Sequence, residues 1–147
     1  MKKFSFELQE VLEFRNFEQK QAEAELGKAL AVENEINSNL NTLALQYAAT
    51  KEKLKGSLNF DNIYTANQHI KLLDFQKEEL LKQLTQAKII TEQKREILRE
   101  CMKKTTALEK LKEQKLEEYK ESVRKEEAAF IDELGTQGYF KHSEALK

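Results

Sequence analysis

Apolar residues recur at alternating steps of four and three along most of this chain. In the clearest run, eight of ten positions are apolar: Ala22, Leu26, Ala29, Glu33, Ile36, Leu40, Leu43, Tyr47, Thr50 and Leu54. This spacing is typical of a helix that packs one narrow stripe against a single neighbouring helix. We call the packed stripe the seam. The run therefore predicts one long helix with one partner helix.

The same spacing returns in the second half of the chain. Seven of its eight positions are apolar: Ile63, Ala66, Ile70, Leu73, Lys77, Leu80, Leu84 and Ala87. The pattern weakens from Thr91 to Thr105, where Cys101 falls on the seam phase and is expected to be a small core residue. It resumes at Leu108, Leu111, Leu116, Tyr119, Val123 and Phe130, with a phase slip after Leu111. A slip of this kind locally alters the supercoil.

One short break, Gly56–Asp61, separates the two runs. Gly56 and Ser57 weaken a helix, and either Asn59 or Asp61 can cap a new one. Gly135 and Gly138 are expected to stop the second helix. The predicted organisation is one hairpin domain over 1–147: helix 4–55, turn 56–61, helix 61–134 and a frayed tail 135–147.

The predicted fold class is all-α, a long antiparallel two-helix coiled-coil hairpin whose second helix is longer than the first. A bent rod that pairs with another chain is the other option. Charge favours the hairpin: residues 7–35 hold eight Glu against three basic residues, and residues 82–110 hold eight Lys or Arg against four Glu. Folding about residues 58–59 makes facing residue numbers add up to about 117 and brings these opposite charges together.

In that register the second helix outruns the first. Phe4 faces about residue 113, so residues 114–134 extend past it by about 30 Å. This extension has an apolar stripe formed by Leu116, Tyr119, Val123, Phe130, Ile131 and Leu134. A lone amphipathic helix in water either finds a partner or frays.

Two further apolar groups have two interpretations each. Phe4, Leu8, Val11 and Leu12 are predicted to share one helical face, but Phe14 and Phe17 lie partly off it. They belong either to a packed end or to a docking surface. Beside the second seam run, Leu72 and Phe75, with Leu81 further along, form a second stripe. It is either a docking surface or a wider seam against Leu58 and Phe60.

Composition agrees with long helices and gives no sign of catalysis. The chain has no proline, is 35% charged, has a net charge of −1 and contains one cysteine. It lacks a phosphate-binding glycine loop, a metal-ligand cluster and a nucleophile–base motif, and His69 and His142 lie far apart. Lys and Arg in residues 88–104 alternate with Glu, which is not a nucleic-acid stripe. We expect no enzyme, no cofactor, no nucleic-acid binding, no membrane insertion and a soluble cytoplasmic protein.

Both ends of the chain resemble one family. The opening FSFELQEVLEFRNFEQKQAEAEL resembles the start of the FliJ family, the coiled-coil proteins of the bacterial flagellar type III export apparatus. The stretch ALEKLKEQKLEEYKESVRKEEAAFIDEL resembles that family's C-terminal signature. Chain length, the position of the break and the unequal arms are also similar. The resemblance covers nearly the whole chain.

The resemblance implies a non-enzymatic central stalk and adaptor. Family members are similar to the stalk of rotary ATPases, and the end with both termini is expected to bind and stimulate the hexameric export ATPase. The tip region is expected to contact the cytoplasmic domain of the export gate membrane protein, and the protein is expected to escort export chaperones. The implied location is cytoplasmic, peripherally associated with the inner-membrane export apparatus, and the implied free state is a monomer. The competing hypothesis is a generic structural coiled coil that forms a dimeric rod without an ATPase partner.

Two sets of contact residues follow from the resemblance and the apolar stripes. The predicted gate-binding set comprises Tyr47, His69, Leu72, Leu73, Phe75, Gln76 and Leu80. Leu73 and Leu80 are also on the seam phase, and Ala66 and His69 stand where relatives often have aromatic residues. The predicted ring-binding set comprises Phe4, Leu8, Val11, Phe14, Phe17, Tyr119, Val123 and Phe130.

Overall fold

The computed structural model describes residues 2–56 and 59–145, which form two helices and no strand. The first helix, α1, spans Gln9–Lys55, and the second, α2, spans Phe60–Ala145. The two helices pack against each other as a hairpin. The all-α hairpin with a longer second helix is therefore confirmed. No helix in the described part of the chain is both long and apolar enough to cross a bilayer.

Asn59 caps the start of α2. Its side-chain Oδ1 accepts a hydrogen bond from the backbone N–H of Asp61 at 3.0 Å, and its carbonyl oxygen accepts one from Ile63 at 3.1 Å. These bonds satisfy donors that a helix start otherwise leaves unpaired. Of the two predicted caps, Asn59 is the one used, and α2 begins at Phe60. Ser57 and Leu58, also part of the predicted turn, lie outside the described residues.

The predicted start of the first helix at residue 4 is wrong. The backbone N–H of Gln9 donates to Phe6 O at 3.1 Å, and regular helix begins where Leu12 donates to Leu8 O at 2.9 Å. Phe4 and Phe6 are half-buried, whereas Ser5, Glu7 and Leu8 are exposed. In a helix the two rings would point about 200° apart. In an extended segment side chains alternate, so both rings can point towards α2. Their burial therefore favours the non-helical backbone.

The predicted stop at residue 134 is also wrong, because α2 continues to Ala145. A glycine ends a helix when it adopts a left-handed conformation, and none of the described glycines has a positive φ. Each glycine costs a helix only about 1 kcal/mol relative to alanine. Residues 135–145 are therefore helix rather than a frayed tail.

The chain divides into two compact units. One spans Glu18–Cys101, and the other combines Met1–Phe17 with Met102–Lys147. In the first unit, all ten predicted seam positions of α1 are buried or half-buried, and so are seven of the eight on α2, with Lys77 exposed. The core there consists of Ala22, Ala29, Ile36, Leu73 and Ala87. Three alanines among five residues allow close approach of the two helices.

In the second unit, a shorter seam is centred on Leu12 and Thr105, which are both buried. Thr105 Oγ1 donates to the carbonyl oxygen of Arg15 at 3.4 Å, and Lys112 Nζ donates to Gln9 Oε1 at 2.7 Å. Leu111, Lys112 and Leu116 are all half-buried. The buried stripe of α2 is therefore wider at the predicted phase slip, and this widening lets the helix stay packed through the slip.

The register differs from the predicted one by about one helical turn. In the Glu18–Cys101 unit, Thr91 bonds Glu33 and Lys94 pairs with Glu25. In both units, the numbers of two residues that face each other thus add up to between 119 and 124, rather than 117. Helical side chains lean towards the N-terminus of their own helix. Because the two helices are antiparallel, α1 side chains lean away from the turn and α2 side chains lean towards it. Each α1 residue therefore meets an α2 residue farther along the chain.

Candidate functional site

The N-terminal segment lies against α2 at Tyr119. The rings of Phe4 and Tyr119 have centroids 5.6 Å apart with their planes inclined at 50°. The Tyr119 hydroxyl donates to the carbonyl oxygen of Lys2 at 2.6 Å. Two residues of the predicted ring-binding set therefore contact each other. Phe6 is half-buried and lines the adjacent groove. Its signal in the sequence was the alternation of Phe4, Phe6 and Leu8 with polar residues.

The α1 residues of the predicted ring-binding set are mostly accessible. Phe14 and Phe17 are 54% and 56% exposed, while Leu12 is buried in the seam. Leu8 and Val11 are partly exposed. The Arg15 guanidinium lies 5.9 Å from the centre of the Phe14 ring, within the range of a cation–π contact. Of the two interpretations of Phe14 and Phe17, this exposure favours a docking surface over a packed end.

Beyond Val123, α2 leaves the seam. Every side chain from Arg124 to Tyr139 is exposed, including Phe130 at 60%, Ile131 and Leu134. We call residues 124–139 the exposed end of α2. The predicted extension began at residue 114, but Leu116, Tyr119 and Val123 are half-buried. The exposed stretch therefore starts later than predicted and runs farther.

Seven residues near the other end of the hairpin form the predicted gate-binding set. Leu72 and Phe75 are exposed, Phe75 by 63%, and His69 and Gln76 are exposed with them. Tyr47 and Leu80 are half-buried, whereas Leu73 is only 3% exposed. The structure thus separates the two stripes: Leu73 belongs to the core, and Leu72 and Phe75 do not. Phe60 is itself exposed, so it does not cover them.

Phe75 borders a shallow groove between the two helices. Leu43 and Leu80 line it together with amide side chains, among them Asn39, Gln46 and Gln76. Tyr47 lies outside this groove, and the Lys51 ammonium is 4.9 Å from the centre of its ring. The groove is open and largely uncharged, in a chain that is 35% charged. Such depletion of charge is typical of the core of a protein interface.

The middle of α2 contains seam residues that its apolar pattern did not predict. Thr91 and Thr105 are buried and Lys94 is half-buried, whereas Ile90, Ile97 and Met102 remain about half exposed. Cys101, which was predicted to be a small core residue, is on the seam phase but only half-buried. The four-three spacing continues unbroken through Thr91, Lys94, Leu98, Cys101, Thr105 and Leu108. Following the spacing rather than the apolar residue types would have found them.

These surfaces are suited to binding. Exposed aromatic and aliphatic side chains are the groups that form the centres of protein interfaces. In the part of the chain that the structure describes, no three His, Cys, Asp or Glu side chains are grouped to hold a metal ion.

Comparison with known proteins gives one result for the whole chain. Neither a curated protein sequence nor a solved structure matches it significantly. A family model described as "Flagellar FliJ protein" matches residues 4–144. Because that match spans nearly the entire chain, the protein belongs to the FliJ family of flagellar proteins, which are components of type III export and not a known enzyme family.

Proposed function

We propose that this protein is a non-enzymatic stalk and adaptor of the flagellar export apparatus, which binds and stimulates the hexameric export ATPase through the end of the hairpin that has both termini. The exposed end of α2 is the observation on which this proposal depends. Phe130, Ile131 and Leu134 stay exposed there on a single helix. Neighbouring exposed apolar side chains of this kind mark sites of interaction.

Charge at the same end supports a ring as that partner. Residues 113–133 hold eight Asp or Glu against four Lys or Arg. An acidic helix is steered towards a basic opening over distances of about a Debye length. Its apolar contacts are not directional, so they can be exchanged between equivalent subunits of a ring. The proposed contacts are those of the predicted set: Phe4, Leu8, Val11, Phe14, Phe17, Tyr119, Val123 and Phe130.

Truncation of the chain after Lys125 tests this function. The cut removes most of the exposed end of α2 but keeps Tyr119 and the seam. We expect the truncated protein to remain a helical hairpin and to lose stimulation of the purified hexameric export ATPase. Stimulation at the full-length level would refute the stalk assignment. The control is the pair Leu45→Ser and Ile89→Ser, which changes apolar residues that are also more than half exposed but lie outside both predicted sets.

We also propose that Leu72 and Phe75, with the groove beside them, contact the cytoplasmic domain of the export gate. Their exposure outside the seam supports this, and Leu73 acts by supporting the surface from within. Replacing both Leu72 and Phe75 with Ser should keep helicity and weaken binding to the purified gate domain at least tenfold, since two exposed apolar anchors are lost. A collapse in helicity with no selective loss of binding would show that they are core residues.

Chaperone escort and a position beside the inner-membrane export apparatus complete the proposal, on the strength of family membership. A free monomer is the proposed state before assembly. The competing hypothesis of a parallel dimeric rod requires the seams to face a second chain, whereas here they face each other. Light scattering gives the mass: one chain supports the stalk, and two chains support the rod.

A further inference from the structure

We propose that the N-terminal segment, Lys2–Phe6, is a detachable strap that covers part of the ATPase-binding surface in the free protein and lifts when the ring binds. This inference rests on the proposed function and concerns the regulation of the same site. It follows from where the segment sits and from how few contacts hold it.

The strap lies beside α2, and the two together line a groove. The α2 side of this groove is formed by Leu111, Lys115, Glu118, Tyr119 and Ser122. The strap is held by the Phe4–Tyr119 ring contact and by the hydrogen bond from Tyr119 to Lys2 O. It has no helical backbone bonds of its own over residues 2–6. Segments with few contacts and exposed backbone open at low free-energy cost.

A natural hinge separates the strap from α1. The turn closed by Gln9 N and Phe6 O comes just before the first helical bond, from Leu12 N to Leu8 O. The first turn of α1 is fastened separately, because Lys112 Nζ donates to Gln9 Oε1. Leu12 is buried in the seam behind it. The strap can therefore lift without opening the hairpin.

Lifting the strap lengthens the accessible apolar stripe. Tyr119 and Val123 lead along α2 directly to the exposed Phe130. With the strap seated, Phe4 and Tyr119 cover each other, so neither presents its full ring to a partner. Lifting frees both rings. A site that is available only part of the time binds with an affinity reduced by that fraction. Loosening the strap should therefore tighten binding.

Tyr119→Phe is the main test. It removes the hydroxyl that holds Lys2 but keeps the ring, so it weakens the strap and preserves the proposed contact. Loss of one hydrogen bond predicts about two- to fivefold tighter binding to the hexameric export ATPase. Tyr64→Phe is the matched control, since it removes a phenolic hydroxyl from an exposed tyrosine outside both predicted sets. It should leave binding unchanged.

A fluorescent reporter follows the strap directly. The chain has no tryptophan, so Phe4→Trp introduces a single one. Its emission should change when the ATPase is added, as the ring exchanges Tyr119 for the ATPase surface. In the free protein, adding Tyr119→Phe should shift the emission to longer wavelength, because the loosened ring is more exposed to water. Circular dichroism checks that helicity is retained.

The outcomes separate the strap from the stalk. Tighter binding of Tyr119→Phe together with the emission change supports the strap. If Tyr119→Phe binds no more tightly, or the emission of the Phe4→Trp variant stays constant on saturation, the strap is refuted while the stalk stands, provided that truncation after Lys125 abolishes stimulation. If neither wild type nor Tyr119→Phe binds the ATPase, both proposals fail.

Discussion

At the scale of single residues, a buried threonine is the least expected feature. Thr91 is 2% exposed, and its Oγ1 lies 2.9 Å from both Glu33 Oε2 and Ala87 O. The hydroxyl has one proton and donates to one of these oxygens at a time. Glu33 is half-buried in the opposite helix, so the bond helps keep a carboxylate in the seam. A polar pair at one seam position favours a single register.

Thr91→Val should expose the importance of that bond. It leaves the half-buried Glu33 carboxylate without this donor, so we expect a loss of about 1–2 kcal/mol in the free energy of unfolding. Urea denaturation followed by circular dichroism measures the loss. Thr85→Val is the matched control, because the Thr85 hydroxyl is exposed and bonds Leu81 O in its own helix. Equal effects of the two variants would contradict a role for the Thr91–Glu33 pair.

At the scale of elements, α2 passes through two glycines near its end. Thr136 Oγ1 bonds Asp132 O within this stretch, and the helix is regular on both sides. A methyl group added at Gly135 or Gly138 would meet no atom within 4 Å. The glycines therefore weaken this part of the helix without serving a close contact.

Alanine at both positions should strengthen the exposed end of α2. Each substitution favours the helix by about 1 kcal/mol, because alanine loses less backbone entropy than glycine. Amide hydrogen exchange over residues 130–139 should slow accordingly. Gly27→Ala is the control: it lies inside α1 with equally open surroundings and should leave exchange at residues 130–139 unaltered. Unchanged exchange in the double variant would indicate that the helix ends near residue 134 after all.

At the scale of the whole molecule, the hairpin has a definite register. Ile36 and Ala87 are both buried and line the same groove, whereas the predicted register placed Leu81 opposite Ile36. The single hairpin domain over 1–147 remains a prediction. A single domain should unfold in one transition, with a calorimetric enthalpy equal to the van't Hoff enthalpy.

Crosslinking distinguishes the two registers. With Cys101 replaced by Ser, a protein with cysteines at 36 and 87 should crosslink rapidly within one chain under mild oxidation. The pair at 36 and 81 should crosslink slowly, because Leu81 lies more than one helical turn from Ala87 along α2. A faster reaction of the second pair would restore the predicted register. Crosslinks found only between chains would argue against the hairpin.

Sequence by itself determined the two helices, their seam and the hairpin. The four-three spacing of apolar residues shows which face of each helix is buried, regardless of which residues pack against it. Asn59 was also one of two predicted caps, because capping depends only on residues next to the helix start. Only the tertiary structure decided the register, because it depends on how side chains lean across the seam. It also decided that residues 2–8 are not helical, because the rings of Phe4 and Phe6 are drawn to a surface on α2 that lies more than a hundred residues away in the chain.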